Sequence, residues 1–118
     1  VTDLAERIAW QRRAAFVLAD LLAQAARDQL PVLAWTVANA GCTLTGQATS
    51  RSRRREDLNA WAHALGITVT EYPWLSGASR LSGDGELRRR RQGLVTVRLV
   101  ADLYEDSSDE EERESEAT

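Results

Sequence analysis

The first thirty residues constrain the fold more than any other stretch. They carry one long helical pattern that runs to Leu30 and is closed by Pro31, because proline disfavours helical geometry in the residue before it. Thr2 is placed to cap this helix, and Asp3 and Glu6 suit the positive end of its dipole. Leu4, Ile8, Ala15, Leu18, Leu22 and Ala26 fall on one stripe at a spacing of 3.6, and Trp10, Ala14, Val17, Leu21 and Ala25 widen it on one side. The apolar face therefore takes about half the circumference. Arg12, Arg13, Asp20, Gln24 and Arg27 occupy the opposite side, and Phe16 stands among them with no place in a monomer's core. Either Phe16 is an exposed aromatic or a partner covers it. The second reading makes Trp10, Phe16 and Val17 the candidate interface of a helix-mediated homodimer.

After Pro31 the period changes to two. Leu33, Trp35 and Val37 alternate with Ala34, Thr36 and Ala38, and Cys42, Leu44, Gly46 and Ala48 alternate with Thr43, Thr45 and Gln47. Asn39, Ala40 and Gly41 supply turn chemistry between them, which predicts an antiparallel hairpin. Burial preferences place Trp35 and Cys42 in the core rather than at a stacking platform or a nucleophile. A second helix follows, with Leu58, Trp61, Ala62 and Leu65 as its apolar face, Ser52 as the expected N-cap and Gly66 at its C-terminal cap. Ile67, Val69 and Glu71 alternate with Thr68, Thr70 and Tyr72 in a third strand that runs into Pro73. Glycines and serines from Trp74 to Glu86 read as loop, with Ser82 to Gly85 as a turn. No Gly-Lys-Ser/Thr follows, so this is not a phosphate loop. The last strand, Leu94 to Tyr104, sets Val95, Val97, Leu99, Ala101 and Leu103 on one face.

The expected fold class is therefore α+β, in the order αββαββ: an antiparallel four-stranded sheet with both helices on one face, and a possible extra edge strand in the arginine run. The 118 residues suit one domain, over 1–104. The two halves share an αββ order without a residue-level repeat.

Charge divides the chain. From Asp102 to Thr118 nine acids meet one base, Arg113, for a net charge of −8, whereas residues 1–101 hold nine acids and fourteen arginines, for +5. From Glu105 onward no aromatic or branched apolar residue is available to offset the entropy of ordering, so 105–118 is expected to be a disordered acidic tail. It either solubilises the chain or folds over the basic body and competes with an anionic partner. Every base is arginine, as codon bias in a GC-rich genome would produce, so position carries more information than residue type. Two clusters stand out, Arg51 with Arg53, Arg54 and Arg55, and Arg88, Arg89, Arg90 and Arg91. The first crowds the start of the second helix, at a cost of about 0.3–1 kcal/mol per arginine that Glu56 and Asp57 oppose. An anion at that helix start would reverse the cost. Internal pairing with Glu56 and Asp57 would do the same without a ligand.

One histidine and one cysteine exclude a two-histidine metal site, a zinc knuckle, a disulfide framework and a redox pair. His63 lies partly off the apolar face of its helix, outside any catalytic motif. Glu71 and Asp84 remain the candidate carboxylate pair, with nothing in the sequence to unite them. No catalytic residue, cofactor or metal is assigned. No stretch approaches the ~20 apolar residues of a membrane span, and the unpaired Cys42 agrees with a reducing, cytoplasmic setting.

Leu30-Pro31, Ala34-Trp35-Thr36, Gly41, Gly46, Trp61 and Gly66, within LPVLAWTVANAGCTLTGQ at 30–47 and LNAWAHALG at 58–66, carry a resemblance. Over most of residues 4–104 the chain resembles a family of small uncharacterised actinobacterial proteins often found near phage or mobile-element genes. The resemblance implies no activity, and the acidic tail is not part of it. Two functions from different classes follow from the residues. One is a non-catalytic protein-interaction or adaptor module that forms a homo-oligomer or takes another protein as partner. The other is nucleic-acid binding through the arginine clusters, moderated by the tail.

Overall fold

The computed structural model describes residues 3–89 and 93–104. Thr2, Arg90, Arg91 and the segment 105–118, and with them the expected cap, half of the second arginine cluster and the acidic tail, lie outside the described residues. The chain runs α1 (Asp3–Asp28), β1 (Ala34–Val37), β2 (Thr43–Ala48), α2 (Arg54–Leu65), β3 (Thr70–Pro73), a single 3-10 turn (Leu75–Gly77), β4 (Ser79–Arg89) and β5 (Gly93–Leu103). This is an α+β fold, but its sheet has five strands in the order β1-β2-β5-β4-β3. The sheet is mixed. β1–β2, β3–β4 and β4–β5 are antiparallel, while β2 and β5 run parallel, with Leu44 beside Val97 and Gly46 beside Leu99.

Two expectations are corrected by this sheet. The segment read as a loop from Trp74 to Glu86 is largely β4, which lies inside the sheet between β5 and β3 and extends into the arginine run through Arg88 and Arg89. Its glycines serve packing rather than turning. A Cβ on Gly83 would stand 2.2 Å from the Thr68 carbonyl oxygen, and one on Gly85 would stand 2.6 Å from Ile67 Cγ1. Here the segment linking α2 to β3 crosses β4, and only glycine leaves room for it. The same segment accounts for the later start of the third strand, at Thr70 rather than Ile67. The all-antiparallel sheet fails because β5, with Val95, Val97, Leu99 and Ala101 all fully buried, takes the central position and pairs with β2 across a long connection.

Strand alternation puts Leu44, Ala48, Leu81, Val95, Val97, Leu99, Ala101 and Leu103 on one face. Ala14, Val17 and Leu21 of α1 and Leu58, Trp61 and Ala62 of α2 join them in a single cluster. Trp35 and Cys42 pack half-buried against it. Trp35 meets the edge of Trp61 at 5.2 Å between ring centres, and Gly46, on the neighbouring strand, lies where a Cβ would come within 2.9 Å of the Trp35 ring. The Trp61 indole donates to the Pro31 carbonyl at 2.6 Å, tying α2 to the end of α1.

The helix ends follow local chemistry. α1 stops at Asp28 because Gln29 adopts a left-handed conformation (φ 55°), which lets the Leu30 amide donate to the Ala25 carbonyl. Gly66 ends α2 in the same way, with φ 68° and the Ile67 amide donating to the Ala62 carbonyl. Ser52 is not the N-cap of α2. Arg53 holds that position, and no side chain caps the helix.

Candidate interaction surface

A sheet contacts only part of a helix, so an apolar face wider than that contact must leave one band outside. On α1 the inward band is Ala14, Val17 and Leu21, with Trp10, Leu18 and Ala25 at its margins. The outward band includes Leu4, Ile8, Ala15, Ala19, Leu22 and Ala26. Leu4 is 70% exposed, Ile8 48%, Phe16 54% and Leu22 49%. Arg12, Ala15, Phe16 and Ala19 line a shallow, largely apolar depression of about 350 Å³.

Of the three expected interface residues, Phe16 lies on this surface. Val17 does not, because it is fully buried in the protein's own core. Trp10 is half-buried, and its carbonyl accepts from the Cys42 thiol at 3.5 Å. The other large apolar side chains exposed on α1 are Leu4, Ile8 and Leu22. Their 3.6 spacing was visible, but periodicity does not say which band of a wide face the sheet will cover.

The arginine clusters are arranged differently. Arg53 lies 3.8 Å from Asp57, Arg54 donates to the Asp102 carbonyl at 3.0 Å and sits 5.7 Å from the Tyr104 ring centre, and Arg55 pairs with Glu71 at 2.6 Å. Arg51 is exposed and also makes an interaction within the protein. Arg88 stands opposite Leu94 near the far end of β5. Asp102 is eight positions further along that strand, so the clusters are separated by about 26 Å at ~3.3 Å per residue. Arg88 and Arg89 also project to opposite faces of β4. Arg89 shares a hollow of about 260 Å³ with Asp20, Ala23, Gln24 and Arg27 of α1.

The face of the sheet without helices is polar. Arg98 pairs with its cross-strand neighbour Asp84 at 2.9 Å, and Arg80 pairs with its neighbour Asp102 at 2.7 Å. Hydrogen bonds to these carboxylates push both guanidinium pKa values up. Arg80 also lies 3.9 Å over the Trp74 ring, which in turn meets Tyr72 edge-on. Cross-strand pairs of this kind satisfy the charges within the chain.

The two candidate carboxylates do not meet. Glu71 projects toward the helix side of the sheet, where hydrogen bonds from Arg55 and Ser79 hold its pKa below the ordinary glutamate value. Asp84 projects to the other side, onto Arg98. His63 is exposed. Among the described residues no group of three or more histidine, cysteine or acidic side chains could hold a metal ion. Nor is any described helix long and apolar enough to cross a membrane. No family model, curated protein or solved structure matches the chain.

Proposed function

We propose that the protein is a non-catalytic interaction module that associates with itself through the outward band of α1. The observation that carries this reading is the exposure of Phe16, 54% accessible beside Leu4, Ile8 and Leu22, on a helix whose opposite band already supplies the core. These four apolar side chains spread over about 120° of the helix circumference at 100° per residue, and exposed apolar surface of this kind favours association. Interfaces are enriched in aromatic anchors, and Phe16 next to a depression fits that role.

Nucleic-acid binding is less well supported. In the first cluster Arg54 and Arg55 donate to acceptors within the chain and Arg53 lies in ion-pair range of Asp57, and the second cluster lies at the other end of β5. A retardation assay at two salt concentrations, on the full chain and on a chain ending at residue 104, measures that alternative directly. Salt-sensitive binding that strengthens on truncation would favour it over self-association.

The test of the proposal is size-exclusion chromatography with light scattering over a range of loading concentrations. The mass should rise above that of the 13.1 kDa chain as concentration increases, and Phe16→Ser should hold it at the monomer value. A wild-type mass that stays at 13.1 kDa throughout would overturn self-association.

A further inference from the structure

We propose that the free edge of β1 takes up one extended strand of another polypeptide, uncharged and apolar at alternate positions, beneath an overhang of α1. The hydrogen-bond register shows which backbone groups are available. The Ala38 amide donates to the Thr43 carbonyl at 3.0 Å, and the same register sets Thr36 opposite Thr45 and Ala34 opposite Gln47. Bonded and non-bonded pairs alternate along an antiparallel ladder, so Leu33, Trp35 and Val37 turn their N–H and C=O groups away from β2. Among the described residues those groups have no hydrogen-bond partner.

The opposite edge of the sheet is closed to such pairing. In β3 the Trp74 amide donates to the Ala78 carbonyl, so by the same alternation Glu71 and Pro73 face outward, and Pro73 has no N–H to offer. Glu71 is held there by Arg55 and Ser79. Proline and charge are the usual guards of a sheet edge. β1 has neither, and no charged residue stands anywhere between Asp28 and Arg51.

α1 supplies the overhang. One of its flanks faces the β4–β5 end, where Asp20, Gln24 and Arg27 share a hollow with Arg89. The other flank is tied to the end of β1, where Arg7 donates to the Asn39 carbonyl at 2.9 Å and Gln11 to the Ala38 carbonyl at 3.2 Å. At 100° per residue, Leu18 and Leu22 lie within about 20° of Gln11 on that flank. α1 runs antiparallel to β1, and Gln11 to Leu22 rises about 16 Å, the length of strand from Ala38 back to Leu33. Leu18, half-buried, and Leu22, 49% exposed, therefore stand level with β1. A strand added about 4.8 Å outward sets alternate side chains under these leucines, where apolar groups gain, and the rest beside Ala34 and Thr36. An ion under the leucines would lose water without gaining a partner. The chain's own segment 105–118, with eight acids and one base, does not suit that place.

This docking does not depend on self-association, so the experiment uses both the full chain and Phe16→Ser. The probe is a short capped peptide of alternating valine and threonine, titrated while backbone amide spectra are recorded by NMR. Saturable shifts are expected at Leu33, Trp35, Val37 and Leu22, with none at Glu71 or Tyr72. Two further peptides carry N-methyl groups, one on every valine and the other on every threonine. Only one set of amides can face β1, so one peptide should bind about tenfold more weakly and the other should keep its affinity. Leu22→Ser, shown to be folded by its circular dichroism melt, should weaken binding several-fold. No saturable shifts, shifts at the β3 edge, equal affinity for the two methylated peptides, or an unchanged affinity in Leu22→Ser would each overturn the proposal. So would β1 amide shifts on diluting the protein alone, which would give the edge to a second copy, or on ending the chain at residue 104, which would give it to segment 105–118.

Discussion

The open face of the sheet and the outward band of α1 are both exposed, yet one is built of paired charge and the other of apolar side chains. On the sheet two arginines face carboxylates across one strand spacing, Arg98 on Asp84 and Arg80 on Asp102. On α1 the outward band leaves Leu4, Ile8, Phe16 and Leu22 exposed, with Arg12 beside Phe16. Pairing within the chain leaves a surface with little reason to bind. An exposed apolar band, by contrast, is a surface that association would cover.

The largest test of this contrast uses two adjacent leucines. Leu21 is fully buried and Leu22 is 49% exposed. Leu21→Ala should destabilise the fold by about 2–5 kcal/mol, whereas Leu22→Ala should change it by less than ~0.5 kcal/mol while weakening self-association. Equal melting losses for the two would mean that the band assignment on α1 is wrong. Next in size is Gly83→Ala, whose new methyl group would meet the Thr68 carbonyl and should cost about 1–3 kcal/mol. A chemical denaturation midpoint equal to wild type would contradict the crossing of β4 by the segment before β3.

Smaller effects probe the sheet face. Arg98→Ala removes an ion pair whose two side chains are each about half exposed, so it should cost about 0.2–1 kcal/mol and leave the solution mass unchanged. A change of mass would make the open sheet part of the interface. The smallest effect concerns Glu71, whose pKa is lowered by bonds from Arg55 and Ser79. A carboxyl held below its unfolded value contributes stability above the ordinary glutamate range, and that contribution is lost as pH falls through the folded value. The melting difference between wild type and Glu71→Gln should therefore shrink on acidification. A difference that persists unchanged would deny the clamp.

Local chemistry was legible in the sequence where one residue decides the outcome. Gly66 ends α2 through its own backbone freedom, and Gly41, with φ 78°, turns the β1–β2 hairpin. The alternation of Val95 to Leu103 also marked the buried face of β5. Long-range choices were not legible. Gly83 and Gly85 carry the same local signal whether they turn the chain or admit a crossing segment, and the difference lies with Ile67 and Thr68. The parallel pairing of β2 with β5 depends on which strand reaches the centre of the sheet. Burial on α1 was legible only in part. Phe16 stood out against its polar neighbours, but Val17 belonged to the core, and Leu4, Ile8 and Leu22, counted as core, belong to the surface.

The most direct measurement is a dilution series of backbone amide spectra by NMR. The account predicts concentration-dependent shifts at Ile8, Ala15, Phe16, Ala19 and Leu22, with none at Thr45, Asp84 or Arg98. Shifts confined to the sheet face, or a spectrum that dilution leaves unchanged throughout, would contradict it.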